Sequence, residues 1–135
     1  MDTKFAVALH ILLFIAETEK IASSEIIAKS VNTNSSHIRK ITTLLKRANL
    51  IESSQGKSGF RLTKSPEEIN LAEIYRAIYL EKNILNIHAD PNGECPLGAR
   101  IEQTLEPVFE KAQNAFLNEL KSKNLADLIA ELYKF

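Results

Sequence analysis

Between Asn34 and Leu62 the chain changes its hydrophobic period once, and that change restricts the folds open to it. Ile38, Ile41, Leu44, Leu45 and Ala48 recur at steps of three and four, the spacing of one buried helix face. Then come Leu50-Ile51-Glu52-Ser53-Ser54, a tip of Gln55-Gly56-Lys57-Ser58-Gly59, and Phe60-Arg61-Leu62, which read as two short strands around a glycine turn. Asn34 stands where the helix needs an N-cap, and Asn49 where its end favours a left-handed residue. Ahead of it, Ser23 or Ser24 opens a helix with Glu25 in its first turn, followed by the short polar turn Val31-Asn32-Thr33. Helix, turn, helix and basic hairpin, in that order, predict a winged helix-turn-helix: mainly α, with one small β-hairpin wing.

The exposed face of the third helix would carry Ser35, Ser36, Arg39, Lys40, Thr43, Lys46 and Arg47. The major groove of duplex DNA admits one helix, and short polar or basic side chains read the base edges there. Ser35, Ser36 and Arg39 lie in the first turns, where base contacts usually fall. Arg39 can make a paired bond to guanine, and Lys40 can reach guanine or a phosphate. Thr43 and Arg47 stand behind them. Lys57 at the hairpin tip and Arg61 beside it are the wing contacts, able to lie on the neighbouring minor groove or backbone. A solvated surface helix and a plain hairpin turn account for each feature alone; the two in this order point to double-stranded DNA. The charge distribution agrees. Residues 1–65 carry ten Lys/Arg against five Asp/Glu, and residues 66–135 carry seven against twelve, so a net charge of zero hides a basic and an acidic half.

Around this centre, a first helix is expected from about Lys4 to Glu19, capped by Asp2 or Thr3, with Phe5, Ala8, Leu9, Leu12, Leu13 and Ala16 at helical spacing. Pro66 is expected to open the helix after the wing. Asn86 to Pro96 reads as a loop. A long amphipathic segment from Leu97 to about Leu120 has a near-heptad stripe of Ile101, Leu105, Val108, Phe109, Ala112, Phe116 and Leu120. Pro107 interrupts it and predicts a kink or a break. A last helix from about Leu125 to Tyr133 has Asn124 as its cap. The division expected is residues 1–80 for DNA binding and 81–135 for the loop and the long dimerisation helix.

These residues resemble the Rrf2 family of bacterial transcriptional regulators over nearly the whole chain. The likeness is carried by the helix-turn-helix, by Gly56-Lys57-Ser58-Gly59-Phe60-Arg61-Leu62, by Phe5 to Leu12, by Pro66 to Tyr75, and by Cys95-Pro96-Leu97-Gly98. Within the family the chain is most similar to the YwnA-like group. The resemblance implies a homodimeric repressor on a pseudo-palindromic promoter site, with the third helix in the major groove, the wing on the minor groove and the long helix crossing onto the partner. One departure matters. Cluster-binding members use three cysteines in and around the loop before the long helix, whereas Cys95 is the only cysteine here. An iron–sulfur cluster held by three thiolates of one chain is therefore excluded, and no cofactor is expected.

Cys95 ahead of a helix N-terminus is a candidate redox sensor, since the dipole favours thiolate; a half-buried small side chain is the plainer reading. His88, Asp90 and Cys95 do not have the spacing of a zinc site, and no metal is expected. No sign of a substrate cleft joins Cys95 to His88, so the chain is not read as an enzyme. No apolar run approaches the roughly 20 residues of a membrane span. Acidic Asp2 and the lack of a cleavage-type segment leave the cytoplasm as the expected location. The alternative to DNA binding is a winged helix used as a protein-interaction or assembly module. No residue names the effector.

Overall fold

The computed structural model describes residues 2–19, 21–54, 59–80, 82–88 and 91–134. The described residues form helices α1 (Lys4–Glu17), α2 (Ser24–Val31) and α3 (Ser35–Arg47), strands β1 (Ile51–Ser53) and β2 (Phe60–Leu62), then α4 (Leu71–Tyr79), α5 (Ile101–Lys121) and α6 (Leu125–Leu132). A single 3-10 turn, Pro66–Glu68, precedes α4. The strands pair antiparallel with Ile51 opposite Leu62, Glu52 opposite Arg61 and Ser53 opposite Phe60. This is the mainly α fold with a hairpin wing that the hydrophobic periods predict.

The core follows from those periods. Ile11 and Leu12 of α1, Ile27 of α2, Ile38, Ile41 and Leu45 of α3, Ile51 of β1 and Ile74 of α4 are fully buried in one cluster. Burying a side chain of this size stabilises the fold by about 1.5–3 kcal/mol relative to leaving it exposed. Leu125 of α6 joins the same cluster, fully buried. Its position is set by two backbone bonds: Leu71 N donates to Lys123 O at 2.9 Å, and Leu125 N donates to Ile69 O at 3.0 Å. The bridge pairs Asn70 with Asn124, and these two asparagines are the N-caps of α4 and α6. Each closes a capping box, Asn70 with Glu73 and Asn124 with Asp127, so both helix starts have donors and acceptors matched.

Several boundaries differ from the sequence expectation. The first helix ends at Glu17 rather than Glu19. The segment after the wing does not enter its helix at Pro66: after the 3-10 turn, Ile69 is extended, and α4 starts only beyond Asn70. The long helix begins at Ile101, not Leu97. Residues 93–100 form consecutive turns instead, with Cys95 O accepting from Ala99 N at 2.9 Å and Leu97 O from Arg100 N at 3.0 Å. Gly98 is obligatory there, because a Cβ would stand 2.1 Å from Asn92 O. Pro107 does not break α5, which runs through it to Lys121. Gln103, four residues back, is exposed, so water can serve the carbonyl that proline leaves without a helix donor.

Candidate nucleic-acid interface

The presentation of α3 begins with two asparagines. Asn32 adopts the left-handed conformation at the end of α2, with φ of 63°, and turns the chain. The side chain of Asn34 accepts from His37 N at 2.8 Å and caps α3. With Ile38, Ile41, Thr42 and Leu45 buried, the opposite face is fixed outward. Ser36, Arg39, Lys40, Thr43 and Arg47 are exposed and Ser35 is half-buried. At the far end Asn49 takes the left-handed conformation, with φ of 62°, as its place after the helix predicts.

The polar groups on this face are partly engaged with one another. Arg39 Nη1 donates to Ser35 Oγ at 3.3 Å and lies 3.8 Å from Glu25 Oε1 at the start of α2. Thr43 Oγ1 donates to Arg39 O at 2.7 Å, which commits its proton to the backbone and leaves its oxygen as an acceptor. Lys46 Nζ donates to Ser53 Oγ at 3.0 Å and so ties α3 to the wing. Arg47, at the last turn, lines a shallow cleft of about 730 Å³ with Asn49, Lys64, Glu73, Arg76 and Leu80.

In the wing, Ile51 is buried and Glu52 and Ser53 are exposed, while Phe60 and Leu62 are half-buried around exposed Arg61. The hairpin is held to the body where Phe60 N donates to Ala22 O at 3.1 Å. Gly59 has a packing role beyond a turn: a Cβ there would meet Ile21 Cγ2 at 2.7 Å. Arg61 Nε donates to Glu52 Oε1 at 2.7 Å, directly across the strand pair. Lys57, with Gln55, Gly56 and Ser58, lies outside the described residues.

The structure thus brings Ser35, Ser36, Arg39, Lys40, Thr43 and Arg47 onto one helix and sets Arg61 in the adjoining wing. Glu25 and Glu52 are the polar residues that sequence reasoning did not single out. Glu52 could have been found by writing the hairpin register, which places it opposite Arg61; Glu25 needs the crossing of α2 and α3.

Cys95 is in the turns before α5, and its side chain is exposed. Backbone N–H groups of Gly98 and Leu97 hold its thiol below the usual range. The shift therefore comes from this local turn rather than from a helix starting at Pro96. His88 is exposed and Asp90 lies outside the described residues. Among the described residues no three His, Cys, Asp or Glu side chains are grouped to hold a metal.

A family model described as "Rrf2: Iron-dependent Transcriptional regulator" matches residues 1–131. The candidate HTH-type transcriptional regulator YwnA of Bacillus subtilis is 43% identical over 133 residues, covering 98% of this chain and 99% of that protein. The HTH-type transcriptional regulator NsrR of Halalkalibacterium halodurans is 27% identical over 128 residues, covering 94% and 86%. A crystal structure of a candidate DNA-binding protein, 44% identical, superposes with a TM-score of 0.77 over 93% of this chain and 98% of its own.

Proposed function

This chain belongs to the Rrf2 family of DNA-binding transcriptional regulators, and from that premise we propose that α3 enters the major groove while the wing lies on the neighbouring backbone or minor groove. Ser35, Ser36, Arg39 and Lys40 make the base and nearest phosphate contacts, Thr43 and Arg47 stand behind them, and Lys57 and Arg61 act from the wing. The observation that carries this reading is the exposed polar face of α3, presented by a buried apolar one and flanked by a tethered hairpin.

The protein acts as a homodimer, most simply as a repressor in the cytoplasm. Residues 1–80 form the DNA-binding part and residues 81–135 the dimerisation part. Two copies of α3 then meet half-sites about one helical turn, or a multiple of it, apart on a pseudo-palindromic site. Support comes from α5, in which no residue is buried within one chain although its stripe includes Val108 and Phe116.

The iron in the family description does not fit this chain's donors. Thiolates hold iron–sulfur clusters, and the sequence has one cysteine. Cys95, exposed and with a thiol shifted toward thiolate, is the residue through which oxidation would act. DNA retention by reduced and oxidised protein, repeated with Cys95→Ser, tests this. Oxidation-sensitive binding is expected only in the wild type, and insensitivity in both removes Cys95 as a sensor.

For the interface itself, Arg39→Ala is expected to weaken binding to the preferred duplex by about 1–3 kcal/mol. Lys57→Ala is expected to weaken all duplexes and to lower the salt slope by about 1. Unchanged binding in both variants would overturn the assignment.

A further inference from the structure

We propose that Glu25 and Glu52 are specificity determinants of the DNA-reading face, each setting a carboxylate against an arginine so that contact with phosphate alone is disfavoured. The inference rests on the reading that α3 and the wing face DNA.

Glu25 Oε1 lies 3.8 Å from Arg39 Nη1, with the two side chains 69% and 57% exposed. Glu52 Oε1 lies 2.7 Å from Arg61 Nε, with the two 48% and 64% exposed. Pairs this exposed add little to stability, so the fold does not require them. Their effect is on what the arginines can bind. A guanidinium has five N–H donors, and Glu52 accepts from Nε at one oxygen. Donors remain on Arg61 for the acceptors that base pairs present in the minor groove, and on Arg39 for the two acceptors that guanine presents in the major groove. A phosphate approaching either arginine must instead settle beside a carboxylate, well within the screening length of about 8–10 Å.

Sequence-independent affinity for DNA is almost wholly phosphate contact, whereas base contacts supply discrimination. Negative charge beside the reading arginines therefore weakens non-specific binding more than specific binding. Among the described residues Lys40 and Arg47 form no ion pair, and Lys46 is bonded to a neutral hydroxyl. The face thus divides into unopposed cations suited to phosphate and carboxylate-checked arginines suited to bases.

The test uses Glu25→Gln, Glu52→Gln and the double variant, which keep side-chain length while removing charge. The probes are a duplex enriched by the wild type from a randomised pool and a shuffled duplex of equal length, each titrated at several salt concentrations. The glutamine variants are expected to bind the shuffled duplex more tightly, with a log–log salt slope steeper by up to about 1 per site. The ratio of enriched to shuffled affinity is expected to fall roughly three- to tenfold. An unchanged or increased ratio overturns the inference. So does a ratio that falls only because the enriched duplex is bound more weakly, since the carboxylates would then be aligning the arginines. A wild type that enriches no sequence overturns the DNA-face reading itself, and the inference with it.

Discussion

Tyr79 near the end of α4 donates its hydroxyl to Asp2, which also accepts from Lys4 N at 3.1 Å and so ties the start of α1 to α4. Burial, and then this bond, push the Tyr79 phenol up to about 12, while the bond from Tyr79 holds the Asp2 carboxyl below its usual range. The signs give two windows. A raised phenol contributes fully below about pH 10 and loses its contribution as the pH climbs toward about 12. A depressed carboxyl contributes above its ordinary value of 3.8 and fades as the pH falls through its folded value. Urea unfolding of wild type and Tyr79→Phe across pH should show a gap that is constant between the windows and closes in each. Curves that stay parallel throughout would refute the coupling. Asp2 is visible in sequence only as a capping candidate; its partner 77 positions away is set by how α1 crosses α4. The same limit applies at the interface. Arg39 and Lys40 are legible because helical periodicity alone turns them outward, whereas Glu25 becomes the neighbour of Arg39 only through packing between helices.

At the scale of elements, helix starts show how far local chemistry reaches. Asn34 and Asn124 cap the helices that their positions announce. Asn70-Leu71-Ala72-Glu73 carries the same capping-box spacing, yet Pro66 draws the expected start five residues too early, because Ile69 continues the apolar spacing from an extended segment. The physical weight lies with Asn70: its Oδ1 accepts from Glu73 N at 3.0 Å, and its N donates to Glu73 Oε2 at 3.2 Å. Asn70→Ala should destabilise the protein by about 0.5–2 kcal/mol, and Asn70→Gly by only a few tenths, in chemical denaturation. Equal losses in the two variants would assign the cost to something other than the lost cap. The late start of α5 was not legible in the same way. It depends on Asn92 folding the turns against Gly98, a contact that neither residue reveals in sequence.

The whole molecule poses a question of burial that one chain does not answer. Its 21-residue α5 spans roughly 32 Å at 1.5 Å per residue, and none of its residues is buried. The helix touches its own chain through Phe116 against Tyr75, with ring centroids 5.1 Å apart, and through Gln113, which accepts from Ile84 N at 2.8 Å. Val108 is left 59% exposed on the near-heptad stripe. A heptad stripe packs best against another helix, so a second copy of α5 is the natural cover in the proposed homodimer. Val108→Glu separates this from packing within one chain, because it places charge on the stripe away from the Phe116 contact. Light scattering should give a dimer for the wild type and a monomer for the variant, with helical content retained. Affinity for a duplex carrying two half-sites should drop to that for one. The drop tests more than assembly, since linking two weak half-site contacts raises affinity only when both copies of α3 can engage together. A variant that keeps the wild-type mass would leave α5 without the role proposed for it. Leu125→Ala provides the contrast: it opens a cavity in the shared core and should cost about 2–5 kcal/mol of folding stability, whichever surface α5 uses.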